Sequence, residues 1–306
     1  MQLPALNPQR KPAWLKVKVP GGENYARIKE TLHGRSLHTV CEEARCPNLG
    51  ECWSGGTATF MIMGDLCTRG CRFCAVKTAR KGTPLDPEEP QKVSESIGLM
   101  QLNYVVITSV NRDDLPDGGA LHFAKVIEQS KKDHPKLILE VLTPDFLGNL
   151  DQVDRVAAAR PHVFAHNLET VRRLTPTVRD PRATYDQSLK VLEHVQKSYV
   201  GIFTKSSLML GLGESDDEVL EAMQDLRAAR VSFLTLGQYL KPSKNHLELK
   251  EYVSPEKFDY FKHWGEALGF DYVAAGPLVR SSYKAGEFFI KSKMQKFGGL
   301  RGLENA

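Results

Sequence analysis

From Thr59 onward the chain alternates short apolar, β-rich runs with longer stretches of helical periodicity. The apolar runs are Thr59–Met63, Tyr104–Val110, Leu137–Thr143, His162–His166, Gly201–Leu210 and Ser232–Tyr239. Helical stretches between them include Pro87–Met100, Gly119–Lys132, Tyr185–Lys197 and Ser215–Arg230. The last opens on Ser215 followed by Asp216, Asp217 and Glu218, a capping serine with acids at the positive end of the helix dipole. Strands that alternate with helices predict a parallel sheet with right-handed crossovers. Six such units fall short of the eight that close a full barrel, so the expected fold is α/β, a partial (β/α)6 barrel.

The flanks differ from this core. Met1–Pro20 is basic and proline-punctuated and reads as an extended arm, with Lys11, Lys16 and Lys18 on a solvated face. Asn24–His33 can form a short amphipathic helix, and a loop rich in cysteine follows, broken by Pro47, Asn48 and Gly50. After Tyr283 periodicity fades into a Gly- and Lys-containing tail. The expected organisation is an N-terminal extension over 1–57, the barrel over 58–240 and a C-terminal extension over 241–306.

Composition adds limits. With 306 residues, 41% hydrophobic and 25% charged, the chain suits one sizeable catalytic domain with extensions, or two modest ones. A net charge of +4 spread along the chain makes no case for nucleic acid, although it could help attract an acidic protein partner. No apolar run reaches membrane-span length, and the N-terminus lacks a hydrophobic signal core. Clustered free cysteines then favour a reducing cytoplasm.

All 6 cysteines lie between Cys41 and Cys74, in two triplets. Cys67, Cys71 and Cys74 follow the strand at Thr59–Met63 directly, after a break at Gly64 and Asp65. Three thiolates that close together can hold three irons of an iron–sulfur cube and leave the fourth open to a substrate or cofactor. Zinc fits less well, because no histidine lies in the span and the ligands do not form two knuckles. A disulfide framework belongs to small secreted chains.

CTRGCRFC, with Phe73 before the last cysteine, resembles the cluster motif of radical S-adenosylmethionine (SAM) enzymes. CEEARCPNLGEC, with Cys41, Cys46 and Cys52, is similar to the auxiliary-cluster motif of lipoyl synthases. RSSY, Arg280–Tyr283, is similar to that family's C-terminal signature. The resemblance extends from Arg10 to about Ala285 and implies a radical SAM type of partial barrel, two [4Fe–4S] clusters and SAM as co-substrate. It implies insertion of sulfur at carbons 6 and 8 of a protein-bound octanoyl-lysine. A radical made from SAM would remove hydrogen from each unactivated carbon, and the auxiliary cluster would donate the sulfur. Cys67, Cys71 and Cys74 would bind the SAM cluster. Cys41, Cys46 and Cys52 would bind the auxiliary one, with Ser282 on its fourth iron.

Barrels of this kind carry chemistry at the C-terminal ends of their strands. Asn111-Arg112-Asp113-Asp114 there reads by itself as a capped turn, but a similar stretch in the family lies beside SAM. Many relatives are expected to have Asp where Asn111 stands, so no carboxylate is required at that position. His166 reads as structural, whereas Asn167 and Glu169 are placed to hold the ribose or the methionine end of SAM. Gly211, Gly213 and Glu214 resemble loops that flank the adenine; the glycines match no phosphate-binding pattern. Arg182, Tyr185, Lys205 and Gln238 match family segments as cofactor-carboxylate or substrate contacts, against the plainer readings that Arg182 pairs with Asp180 and Tyr185 packs in the core.

The partners implied are octanoylated lipoyl-carrier domains, namely 2-oxoacid dehydrogenase E2 subunits and the glycine cleavage H protein. A ferredoxin or flavodoxin electron donor and iron–sulfur carrier proteins complete the set, with the enzyme a monomer. The alternatives are another radical SAM sulfur inserter, such as a tRNA methylthiotransferase, and a non-enzymatic iron–sulfur carrier or zinc-stabilised binding protein. SAM cleavage on reduction separates the enzymes from the last two.

Overall fold

In the computed structural model the described residues are 11–16, 21, 23–35, 37–43, 46, 48–54 and 59–282. One sheet takes its strands in the order of the chain: β1 His38–Thr39, β2 Thr59–Ile62, β3 Tyr104–Ser109, β4 Ile138–Leu142, β5 Val163–Ala165, β6 Phe203–Leu210, β7 Phe233–Gln238 and β8 Tyr272–Gly276. Only β1 is antiparallel, and β2 to β8 run parallel. The labelled helices are α1 Glu23–His33, α2 Glu89–Leu99, α3 Ala120–Asp133, α4 Leu150–Ala158, α5 Tyr185–Ser198, α6 Asp216–Ala228 and α7 Pro255–Ala267. The parallel α/β architecture expected from the apolar runs is the one the chain adopts. Arg10 and Tyr283, with the tail expected after it, lie outside the described residues.

Periodicity decides which face each strand turns inward. On β3, Val105 and Ile107 face out against Phe123, Val126 and Ile127 of α3 and Ile97 of α2. Tyr104 and Val106 alternate with them and join Val163 and Phe233 in a plug at the N-terminal end of the barrel interior. Thr108 and Val110, further along the inward face, line a cavity at the C-terminal end. α6 begins as read from the sequence: Ser215 Oγ accepts the Glu218 N–H, and the Glu218 carboxylate accepts the Ser215 N–H at 2.8 Å.

One strand went unread. Tyr272–Gly276 pairs in parallel with β7, from Tyr272↔Phe233 to Gly276↔Gly237, inside the segment expected to be a C-terminal extension. Its YVAAG sequence opens on the strand formers Tyr272 and Val273 but ends in Ala-Ala-Gly, so its strand state draws on pairing and on α7 packing over it. Gly237 has a tertiary reason: a Cβ there would sit 2.1 Å from the Val279 carbonyl oxygen. The segment after β8 therefore lies directly against β7.

His162, at the start of β5, accepts the Leu139 N–H through Nδ1 at 2.9 Å. Burial, helped by nearby Lys131, holds its pKa down at about 4. The unfolded chain takes up that proton near pH 6.5 and the folded chain only near 4, so the stabilisation is complete above about 6.5 and is lost as pH falls toward 4. Between pH 7 and 4.5 the loss is on the order of 2–3 kcal/mol. His162→Asn keeps an acceptor without a titrating ring, and unfolding measured at both pH values should show a smaller acid loss. An unchanged loss would exclude His162 as its source.

Candidate active site

Local backbone geometry delivers the second cysteine triplet. β2 ends in two left-handed residues, Met63 (φ 68°) and Gly64 (φ 85°), which turn the chain over the top of the sheet. Leu66–Cys67 then pairs in parallel with Lys77–Thr78, so the cysteine loop closes on itself. Amide hydrogens already point at its sulfurs. Cys67 Sγ accepts from Asn111 N at 3.4 Å and Arg69 N at 3.5 Å, and Cys71 Sγ accepts from Asp180 N at 3.3 Å.

The loop is clamped from outside by ion pairs. Arg69, between the first two cysteines, is buried and reaches Asp113 at 2.8 Å and Asp145 at 2.6 Å. Asp180 accepts the Gly70 N–H at 2.9 Å and pairs with Arg182 at 2.8 Å. Arg182 also donates to the Thr68 carbonyl at 2.7 Å. The pairing of Arg182 with Asp180 therefore does more than decorate a surface: it holds the cysteine loop.

Cys41 sits in the short helix Val40–Glu43 just after β1, and Cys52 in Leu49–Ser54. The Cys46 N–H donates to the Cys41 carbonyl at 3.0 Å, folding the triplet tightly. Asn48 Nδ2 donates to the Leu278 carbonyl at 2.6 Å across 230 residues, tying this loop to the chain just before Arg280. Half-buried Arg280 lies beside Cys46, and desolvation pushes its guanidinium pKa down while the Cys46 charge opposes that.

All six cysteines are free, and all six line one cavity of about 630 Å³ together with Ser282. Burial pushes the Cys74 thiol up to about 12 and the Cys41 thiol up to about 11, and raises Cys46 and Cys71 as well. Thiolates in such a place need a compensating positive charge, which a metal supplies.

Comparison with known proteins accords with this geometry. The sequence model of the Radical SAM superfamily matches residues 61–226, and that of the N-terminal domain of lipoyl synthase matches residues 2–46. The chain is 60% identical over 285 residues to the lipoyl synthase of Anaeromyxobacter sp. (strain Fw109-5), covering 93% of this chain and 97% of that one. It is 56% identical over 292 residues to the chloroplastic lipoyl synthase of Arabidopsis thaliana, covering 94% and 74%. The chain belongs to the lipoyl synthase family.

Solved structures support the fold alone. Methylornithine synthase (PylB) superposes with a TM-score of 0.52 at 11% identity, over 89% of this chain and 93% of that one. SuiB of Streptococcus suis bound to S-adenosylmethionine gives 0.53 at 12% identity, over 74% and 54%.

Lipoyl synthases use SAM and [4Fe–4S] clusters, and the cavity lining fits both. Six uncrosslinked thiols are a soft donor set matched to iron. Asn111 Oδ1, Asn167 Oδ1 and Arg179 Nε are buried without a hydrogen-bond partner among the described residues, and all three residues line the cavity. A polar ligand would satisfy them. Glu169 lines it too; its backbone is left-handed (φ 71°) and burial raises its carboxyl pKa.

Phe73, Asn111, Asn167, Glu169, Gln238 and Ser282, all singled out from the sequence, meet at this cavity. Others named with them are not among its lining residues. Arg112 pairs with Asp114 at 2.8 Å and packs beneath Gly82, where a Cβ would lie 2.5 Å from Arg112 Nε. Lys205 pairs with Glu140 at 2.8 Å, deeper in the barrel than Ser207 of the lining on the same face of β6. Gly211 (φ 101°) makes room for the returning chain, since a Cβ there would lie 2.5 Å from the Glu251 carbonyl oxygen. Glu214 accepts the Leu212 N–H at 2.9 Å, and Gly213 (φ 102°) faces Lys250.

His166 is satisfied within the core, by the Thr143 carbonyl through Nδ1 and by Ser188 Oγ through Nε2, both at 2.9 Å. Buried Tyr185 donates to Asp225 at 3.0 Å. Lys11, read as solvated, is exposed and contributes to the cavity lining. Sequence reading missed Arg69, Arg179 and Asp145, whose roles arise only from contacts across the fold. The sole local hint was that Arg179 and Asp180 belong to the same segment as Arg182.

Proposed function

We propose that this cavity inserts two sulfur atoms, at carbons 6 and 8, into an octanoyl chain borne on a lysine of a lipoyl-carrier domain. The observation that carries the reading is the meeting of both cysteine triplets and Ser282 on one cavity. Cys67, Cys71 and Cys74 would hold the cluster that receives SAM; Cys41, Cys46, Cys52 and Ser282 would hold the second. When bound, these groups supply the one-electron chemistry and the sulfur that unactivated carbon requires. The chain's own work is placement. Asn111, Asn167, Glu169 and Arg179 offer polar atoms to the amino acid and ribose of SAM. Met61, Val110, Leu142 and Leu208 supply apolar wall for the alkyl chain and keep water from it. Arg69, Asp180 and Arg182 hold the cysteine loop without entering the reaction.

E2 subunits of 2-oxoacid dehydrogenases and the glycine cleavage H protein are the carriers we propose. A ferredoxin or flavodoxin would supply electrons and iron–sulfur carriers would restore the second cluster, with the enzyme working as a monomer. Six free cysteines on one cavity suit the reducing cytoplasm. Among the described residues no helix is long and apolar enough to cross a membrane.

Anaerobic reconstitution followed by turnover tests the reading. About eight iron atoms should be bound per chain, two cubes of four. An octanoyl-lysyl peptide should then gain the mass of two sulfurs less two hydrogens, yielding dihydrolipoyl product on reduction. Iron that stays near four per chain, or a peptide of unchanged mass, would exclude the proposal.

A further inference from the structure

The chain between β7 and α7, residues 239–254, runs back across the cysteine loop as a strap. Its first part, Tyr239 to Pro242, lines the cavity. Both ends are secured to the barrel. Gln238 accepts the Val253 N–H at 2.8 Å and donates to the Glu251 carbonyl at 3.0 Å, and the Lys250 N–H donates to the Gly211 carbonyl at 2.9 Å. Between these anchors the Tyr239 hydroxyl donates to the Leu247 carbonyl at 2.9 Å. Phe73 of the cysteine motif packs into the cluster formed by Val178, Leu212, Tyr239, Leu247 and Leu249.

One side chain of the strap reaches the cysteine loop itself. His246 Nε2 lies 3.0 Å from the carbonyl oxygen of Cys74, and its Nδ1 lies 2.8 Å from Ser243 Oγ. A carbonyl only accepts, so Nε2 carries the hydrogen, and Nδ1 is held by the Ser243 hydroxyl. Two residues of the strap thus orient one N–H toward the last cysteine of the triplet. Alongside, the Leu247 N–H faces the Arg72 carbonyl at 3.4 Å.

We infer that His246 is a positioning residue: its Nε2–H fixes the Cys74 peptide, and with it the direction in which the Cys74 sulfur faces the cavity. The inference rests on the reading that Cys67, Cys71 and Cys74 hold the SAM-binding cluster, and it adds that the strap and that cluster are mechanically one unit. Arg69, Asp180 and Arg182 secure the first half of the loop, whereas His246 secures its last residue. Nothing else in the strap places a side-chain donor on that carbonyl among the described residues.

Two substitutions separate the donor from the ring. His246→Phe keeps a planar ring to pack and removes the N–H. His246→Gln loses the ring and can still extend an amide N–H to the Cys74 carbonyl. In the full, reconstituted chain, two quantities are followed without octanoyl substrate: the SAM concentration needed to change the electron paramagnetic resonance signal of the reduced cluster, and the KM for SAM in reductive cleavage. His246→Phe should raise both about tenfold, the effect of one part-buried hydrogen bond, while His246→Gln stays within about threefold of wild type. A purely packing role gives the reverse order, and that order overturns the inference, as does a His246→Phe chain within about twofold of wild type. The underlying site assignment fails separately: a Cys67→Ala chain that still shows the SAM-induced signal would defeat the cluster reading itself.

Discussion

Cys71→Ala is expected to abolish reductive SAM cleavage, whereas Cys46→Ala should retain part of it and form no carbon–sulfur bond. Both thiols line the same cavity, so position alone does not separate their roles. Their surroundings do. Cys71 belongs to the loop beneath Arg69 and Asp180, takes an amide hydrogen bond from Asp180 at 3.3 Å, and shares its side of the cavity with Asn167, Glu169 and Arg179. On the proposed assignment, losing it would leave two thiols where three irons need ligands, and SAM would lose its chelating iron. Cys46 belongs to the loop tied to Leu278 and Arg280, away from those polar groups in the fold's connectivity. Its loss should spare the SAM cluster and remove the sulfur source. Chromatographic quantitation of 5′-deoxyadenosine, alongside the mass of the octanoyl peptide, distinguishes the two phenotypes. Lipoyl product from Cys46→Ala would mean that sulfur comes from elsewhere.

Ser282→Cys should keep about eight iron atoms yet lower double sulfur insertion by about 10–100-fold, with Ser281→Ala milder. Three cysteines serve the first triplet, and no seventh cysteine exists for its fourth iron. Ser282 lines the cavity because Asn48 holds the Leu278 carbonyl, Gly237 lets the Val279 carbonyl approach β7, and half-buried Arg280 packs beside Cys46. Adjacent serines more often cap turns than bind metal, so the chemistry has to decide. An oxygen donor is harder than a thiolate and less suited to cluster iron, so on the proposed assignment Ser282 would hold its iron less firmly than the cysteines would. Held more loosely on that side, the cluster would supply sulfur to the alkyl chain more readily. A cysteine at that position should assemble the cluster and let go reluctantly. Undiminished double insertion by Ser282→Cys would refute the assignment.

The two triplets, the six apolar runs that became β2 to β7 and the Ser215 cap were legible because each is local: cysteines within 12 residues (Cys41 to Cys52) or 8 (Cys67 to Cys74), alternation within a strand, a hydroxyl three residues from its partner. What stayed hidden depends on groups far apart in the chain. Tyr272–Gly276 is a strand because β7 pairs with it, and the short run of Tyr272 and Val273 before Ala274, Ala275 and Gly276 does not announce that. Arg69 reads as one more loop cation until Asp113 and Asp145, 44 and 76 residues away, close around it. His246 lies 172 residues from the carbonyl it holds. Lys205 and the Gly211–Gly213 loop were misleading in the opposite direction, since their residue types suit a binding site while their contacts serve the barrel interior and the strap. The sequence by itself determined the two cysteine triplets and the alternation of strand and helix, because thiol spacing and backbone periodicity are properties of short segments. Only the tertiary structure decided which polar side chains reach the cavity and which are spent holding its walls, because a buried charge or donor takes whichever partner the fold brings within about 3 Å.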